Sequence, residues 1–355
     1  VTERRPHSHH TASLDAGEQV FRSDLGSLTA VTSESLPLLS GLSMKRLTLE
    51  AGTVRELHWH ANASELTYCL SGELLVGILG DGSQFSWFTI SRGQMFYAPS
   101  GALHYIENVG DAPAELIVTF SDDAPQDFSF RASVGAMSDA VLGNTWDLKA
   151  DAFEAMEHTT EPAWIVAREG SPHVPNDASF GSPLKFDVEA EEPPIASPAG
   201  TARVARSQVW PALTDLAMYS LRIADDGMRE PHWHPGTAEM GYVAGGRARM
   251  TVLDPDGSTD TYELERGDTY FIPPAFPHHI ENTGGDDFHF LVYFNQPMPA
   301  DVGYRTSGSL GSRAVTAATL GLGVEQLPDL PRTPEDPLIV DRNNPVDPVT
   351  PGEPS

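Results

Sequence analysis

Between residues 65 and 120 the chain runs in short apolar segments, LTYCL, ELLVGIL, FSWFTI, MFYAP, HYIEN and AELIVTF, separated by SG, GDGS, SRG, PSGAL and VGDAP. Runs of this length, rich in β-branched and aromatic residues and broken by Gly-centred turns, predict the strands of a small closed barrel or a two-sheet sandwich. The pattern changes beyond residue 126. DFSFRASVGAM, and later DVGYRTSGSLGSRAVTAATLG, read as helical, with Asp127 and Asp301 placed as N-caps.

The strand pattern occurs twice. Residues 55–65 read RELHWHANASE and residues 229–239 read REPHWHPGTAE, a constant offset of 174 residues, as from Arg55 to Arg229. Tyr68 and Tyr242, Gly72 and Gly246, Gly93 and Gly267, Pro99 and Pro273, His104 and His278, Asn108 and Asn282, and Phe120 and Phe294 keep that offset without insertion or deletion. This predicts two tandem domains, residues 36–180 and 181–325, with EAEEPPIASPAG (189–200) as part of the linker. Residues 1–35 are polar and carry His7, His9 and His10, a metal-capable cluster on what reads as a disordered tail. Residues 326–355 hold a Pro about every fourth residue, a density that excludes helix and predicts an extended arm.

Composition agrees with this division. A chain of 355 residues with 40% hydrophobic content can bury two ordinary cores. A formal net charge of −28 repels phosphate backbones and anionic membrane surfaces, so nucleic acid and membrane are not expected partners. The same field opposes a small anionic substrate unless a local cation holds it, which draws attention to Arg55 and Arg229. The single cysteine, Cys69, rules out an intramolecular disulfide and lies in an apolar run where an inert, buried thiol is expected. No apolar stretch suits a signal peptide or a membrane span. The expectation is a cytoplasmic protein, unless a signal was removed before Val1.

Side chains two apart on a strand share a face. His58 and His60 therefore project together, with Trp59 turned away, and His232 and His234 repeat this around Trp233. Glu65 and Glu239 follow a short bend, and His104 and His278 arrive on a later strand. Three imidazoles and one carboxylate converging in each domain make a metal site with open positions, suited to Fe, Mn, Ni or Zn. His279 lies one residue off the ligand phase and reads as a neighbour; His289 reads as a surface residue.

These two motifs, HxHx4E and Gly-x5-Pro-x4-His-x3-Asn, match those of the cupin superfamily, and over residues 36–325 the chain resembles a bicupin of the oxalate decarboxylase and oxalate oxidase branch. The resemblance implies an all-β fold of two tandem jelly-roll barrels with short flanking helices. It implies two Mn(II) per chain, held by His58, His60, Glu65 and His104 and by His232, His234, Glu239 and His278. Arg55 and Arg229 hold the place of the family's substrate-binding arginine, the partner is a small anionic carboxylate, and the assembly is a homo-oligomer. Decarboxylases of this branch carry a Ser-Glu-Asn-Ser lid whose Glu handles the proton. Here Asp123-Ala124-Pro125-Gln126 stands there, leaving Asp122 or Asp123 as the substitute acid. With both Arg and all eight ligands in place, oxalate decarboxylation to formate and CO2 is the preferred expectation. The missing lid Glu makes oxidation of oxalate by dioxygen, to CO2 and peroxide, the alternative, and a non-catalytic metal- or small-molecule-binding bicupin is the alternative of another class.

Overall fold

The computed structural model of the protein describes residues 8–80, 84–178 and 181–344. Among the described residues the strands pair into four antiparallel sheets, two for each copy of the repeat. In the first copy one sheet runs Asp127–Ser129, Thr53–His60, Leu103–Asn108, Glu73–Leu79, Phe85–Ser91, with Ile165–Ala167 also pairing along Thr53–His60. Its facing sheet runs Lys185–Asp187, Gln94–Ala98, Glu65–Ser71, Ala114–Phe120, Ser43–Leu49, Gly26–Val31, Glu18–Ser23. The second copy repeats both orders. Thr259–Glu265, Arg247–Leu253, His278–Asn282, Gly227–Trp233 and Val302–Gly303 form one sheet, and Ile339–Asp341 pairs with Gly227–Trp233. The other contains Thr11–Ser13, Asp268–Ile272, Glu239–Gly245, Phe288–Phe294, Ala217–Ile223, Gly200–Ala205 and Ile195–Ser197. This is the expected all-β architecture of two tandem jelly rolls.

Alternation, shifted in phase by an irregularity in register between Arg55 and His58, explains the burial. Along Thr53–His60 the side chains of Thr53, Arg55, His58 and His60 are buried while Leu57 is exposed, and Trp59 on the outer face stacks on Phe128 at 5.3 Å between ring centroids. The turn Gly72 has φ of +97°, and a Cβ there would stand 2.4 Å from the Cβ of Ala114. Its counterpart Gly246, at φ +82°, would meet the Asp287 carbonyl at 2.6 Å, so both turns require glycine.

Two of the three apolar clusters fill one jelly roll each. The third joins them: Leu14, Tyr68, Met95 and Tyr97 pack into one cluster with Trp210, Met218, Met240, Tyr242 and Tyr293.

Several expectations at the margins are corrected. Within the supposed tail 1–35, residues 11–13, 18–23 and 26–31 are strands. The first of these crosses to the second copy, where Thr11 pairs with Tyr270 and Ser13 with Asp268. The reciprocal strand crosses back, Lys185 pairing with Phe96 and Asp187 with Gln94. Within the supposed linker, Ile195–Ser197 is a strand. Among its described residues the Pro-rich arm contains no helix, and Ile339–Asp341 is docked in a sheet. Asp127 and Asp301 cap no helix: Ser129 and Gly303 are the N-cap residues, and Ser129 accepts from the Ala132 amide. Among the described residues no helix is long and apolar enough to cross a membrane.

Candidate metal centres

Strand pairing brings the ligands together. His58 lies opposite His104 in the register between their strands, and Glu65 opens the strand of the facing sheet that pairs with Ala114–Phe120. All four are buried, as are His232, His234, Glu239 and His278, where His232 again lies opposite His278. In each set one donor atom per residue lies within 4.8 Å of all the others.

The ring orientations follow from their outer hydrogen bonds. A carbonyl oxygen only accepts, so a His nitrogen facing one must carry the proton. His58 donates from Nδ1 to the Glu56 carbonyl at 2.7 Å and His104 from Nδ1 to the Ala102 carbonyl at 2.9 Å. His232 and His278 do the same to the carbonyls of Glu230, 2.7 Å, and Phe276, 2.9 Å. Each of these rings thus turns its Nε2 lone pair inward, the arrangement by which metal-binding histidines are oriented. Glu65 Oε2 lies 2.8 Å from His60 Nε2 and 3.2 Å from His104 Nε2, and its other oxygen accepts from Thr67 Oγ1 at 2.7 Å. Glu239 Oε2 lies 2.7 Å from His234 Nε2, while Oε1 accepts from the Tyr270 hydroxyl at 2.7 Å.

Electrostatics keeps His58, His232 and the two carboxylates in ligating form. Burial, reinforced by the neighbouring arginine, drives His58 and His232 well below the usual imidazole range. Burial opposes ionisation of Glu65 and Glu239, yet the adjacent histidines hold both carboxyls well below the usual range. His278 Nε2 is buried, 3.4 Å from Glu239 Oε2, and has no hydrogen-bond partner. A cation between them removes that deficit. The donor set of three imidazoles and one carboxylate therefore fits a divalent metal in both copies, and the second copy adds an unsatisfied buried nitrogen.

Arg55 and Arg229 stand over these centres. Arg55 donates to the Trp164 carbonyl at 3.3 Å and to Asp127 Oδ2 at 3.4 Å; Arg229 donates to the Leu338 carbonyl at 3.2 Å and to Asp301 Oδ1 at 3.0 Å. Trp164 and Leu338 share a left-handed backbone, φ +62° and +63°, one repeat apart. Asp127 also takes Lys45 Nζ at 2.8 Å and, through Oδ1, His60 Nδ1 at 2.7 Å. Asp301 lies 2.9 Å from His234 Nδ1. Burial opposes its charge, but His60, Lys45 and Arg55 hold the Asp127 carboxyl far below the usual range.

The two centres differ in room and charge. The first opens into only about 10 Å³, lined by Lys45, Arg55, His58, His60 and Glu65 among apolar side chains. The second opens into about 200 Å³ lined by Arg229, His232, His234, Glu239 and Asp301, with Tyr219 in the repeat position of Lys45.

Asp122 and Asp123 are not brought to the site. Asp122 Oδ1 accepts from the Ala124 amide at 2.8 Å and Asp123 Oδ2 from the Gly41 amide at 3.1 Å, so both carboxylates are spent on folding their loop, and neither lines the cavity. The carboxylates that do reach the centres are Asp127 and Asp301, and the 174-residue offset they share was the available signal. His279 faces Glu281 at 3.6 Å, outside the ligand set. His289 is not a plain surface residue: it is half-buried, 3.0 Å from Ser220 Oγ, and burial lowers it to about 4. Cys69 is buried as expected, its thiol pushed up to about 12 by burial. His7 lies outside the described residues.

Two jelly rolls, each with a His3Glu centre, define a bicupin. Residues 12–152 and 186–327 match the cupin domain model, and the chain belongs to the cupin family. It is 29% identical over 303 residues to the oxalate decarboxylase OxdC of Bacillus subtilis (strain 168), covering 82% of this chain and 77% of that protein. It is 27% identical over 303 residues to a probable oxalate decarboxylase of Arthroderma benhamiae, covering 82% and 74%. A solved structure of the Bacillus subtilis oxalate decarboxylase, from work on its Mn(II) centres, superposes with a TM-score of 0.82 at 25% identity, covering 96% of this chain and 90% of that one.

Proposed function

We propose that this protein is a manganese-dependent bicupin enzyme that decarboxylates oxalate, or a similarly small dicarboxylate, in its first jelly roll. The observation that carries this reading is the setting of Asp127. Its carboxylate is gripped by Lys45 at 2.8 Å, Arg55 at 3.4 Å and His60 at 2.7 Å, beside the four candidate ligands. A pocket that holds one carboxylate against two cations in a protein of charge −28 is built to recognise carboxylates. The likeness to oxalate decarboxylases along 82% of the chain supports the same reading.

His58, His60, Glu65 and His104 would hold the metal, which when bound supplies Lewis-acidic and redox-active chemistry at one end of the substrate. Arg55 steadies the far carboxylate through its planar fork. The reaction, HC2O4⁻ to HCO2⁻ and CO2, breaks the C–C bond and places a proton on the carbon that remains. The Asp127 carboxyl is held ionised and has no proton to give. The Lys45 ammonium lines the cavity and is the group placed to deliver it.

The second reading is oxidation, C2O4²⁻ with O2 and two protons to two CO2 and H2O2, favoured by the absence of Asp122 and Asp123 from the site. One experiment separates the readings: manganese-loaded protein is incubated with oxalate under air, and formate and peroxide are assayed together. Formate carries the decarboxylase reading, peroxide without formate replaces it with the oxidase, and neither product sinks both. Lys45→Met is expected to lower the formate yield at least tenfold and to raise the peroxide fraction. Arg55→Lys is expected to lose most turnover, and full activity in that variant would move catalysis to the second jelly roll.

A further inference from the structure

Among the described residues a third group of metal-capable side chains lies outside both jelly-roll centres. His9 and His10, from the N-terminal segment that crosses to the second copy, meet Asp254 in the turn between Arg247–Leu253 and Thr259–Glu265. His10 is fully buried. Its Nδ1 donates to the Phe271 carbonyl at 2.9 Å, which leaves the Nε2 lone pair aimed at Asp254 Oδ1, 3.4 Å away. This is the device that orients His58, His104, His232 and His278. His9 presents Nε2 at 3.4 Å from Asp254 Oδ2, and its other nitrogen lies 3.4 Å from Asp260 Oδ2, which also accepts from Ser8 Oγ.

With its proton on Nδ1, a neutral His10 turns a lone pair toward Asp254 Oδ1, and Asp254 Oδ2 is a buried atom with no hydrogen-bond partner. Such a pair is unfavourable until a cation enters it. Donors bonded to one tetrahedral ion at about 2.0–2.1 Å stand about 3.3–3.4 Å apart, the separation both histidines keep from Asp254.

We propose that His9 Nε2, His10 Nε2 and the Asp254 carboxylate form a third metal site, for a borderline divalent transition ion such as zinc, nickel or cobalt. Two imidazoles and one carboxylate are the donors such ions prefer. Asp260 orients the His9 ring from behind, and water completes the coordination. The ion ties the start of the chain to the second jelly roll next to the Thr11–Ser13 strand, so it fastens the crossing segment. His10 also takes the Phe271 amide on its carbonyl at 2.8 Å, and its ring lies edge-on to Phe276, whose carbonyl orients His278. The site therefore braces the stretch that carries a ligand of the second centre.

The test uses the full chain, stripped by chelation and titrated with zinc alone, with bound metal counted after gel filtration. Three equivalents are expected for the unaltered protein and two for each of His9→Ala and Asp254→Asn. His9 is 58% exposed, so its variant folds even if changes at the buried His10 do not. Hydrogen exchange gives an independent readout: zinc is expected to slow exchange of the amides of residues 9–14 at least tenfold in the unaltered protein and not in Asp254→Asn. Two equivalents in the unaltered protein, three retained in both variants, or exchange at residues 9–14 indifferent to zinc would each overturn the site.

Discussion

At the scale of single residues, each centre depends on one carboxylate. Glu65 and Glu239 are the sole anionic members of their ligand sets, so Glu65→Ala and Glu239→Ala are each expected to lower manganese content by about one equivalent per chain, read by elemental analysis. Unchanged content in both would remove them from the ligand set. Protonation gives a second check. Burial disfavours the charged form of His234, but Asp301 and Glu239 outweigh it and raise the ring from 6.5 to about 9. Its raised folded value stabilises the metal-free protein fully below about pH 6.5, and that contribution is lost as pH rises through 9. Metal uptake has the opposite sign, because a ligating imidazole must shed that proton. At pH 7 the second centre is expected to release about one proton per metal bound, falling towards zero above pH 9. Calorimetry in buffers of different ionisation enthalpy measures this, and release that stays constant from pH 7 to 10 would place the proton elsewhere.

At the scale of elements, the legible strands are those whose pattern is complete within themselves. LTYCL, ELLVGIL, FSWFTI, MFYAP, HYIEN and AELIVTF each carry their own apolar face and turn, and each is a strand here. Thr11–Ser13 and Lys185–Asp187 carry neither: they are three residues long, largely polar, and find their partners at Asp268–Tyr270 and Gln94–Phe96 in the other copy. Nothing local announces such pairings, although the 174-residue offset between them was present in the sequence. Asp127 failed differently. An Asp shortly before a helix is a sound N-cap by propensity, but Ser129 stands closer to the helix and Asp127 is drawn inward by Lys45, Arg55 and His60. The crossing strand covers the edge left by Asp268–Ile272 and seats Leu14, which is fully buried. Leu14→Ala is expected to cost about 2–5 kcal/mol by denaturant titration. Deletion of residues 1–14 adds an exposed sheet edge and is expected to produce concentration-dependent association by light scattering. A deletion variant that stays as stable and monodisperse as its parent would deny the strand its structural part.

At the scale of the molecule, the exchanged strands and the shared cluster make two similar halves into one cooperative unit. Tyr97 of the first copy donates its hydroxyl to Asp215 Oδ1 of the second at 2.8 Å, shares a hydrogen bond with Thr214 Oγ1 at 2.8 Å, and packs in the same cluster as Trp210 and Tyr293. Neither half keeps a closed surface when the other opens, because each would lose an edge strand and bare part of that cluster. Scanning calorimetry is therefore expected to show a single transition whose calorimetric and van't Hoff enthalpies agree. A metal that binds only the folded state at a hundred times its dissociation constant adds about 2.7 kcal/mol per site. In a coupled molecule that gain is felt everywhere. Glu239→Ala, which empties only the second centre, is expected to lower the unfolding temperature seen from the first half, for example by the fluorescence of Trp59 and Trp87 after the other four tryptophans are replaced by phenylalanine. If the first half instead melts at an unchanged temperature while the second melts earlier, the halves are independent and the exchanged strands serve as local edge covers only.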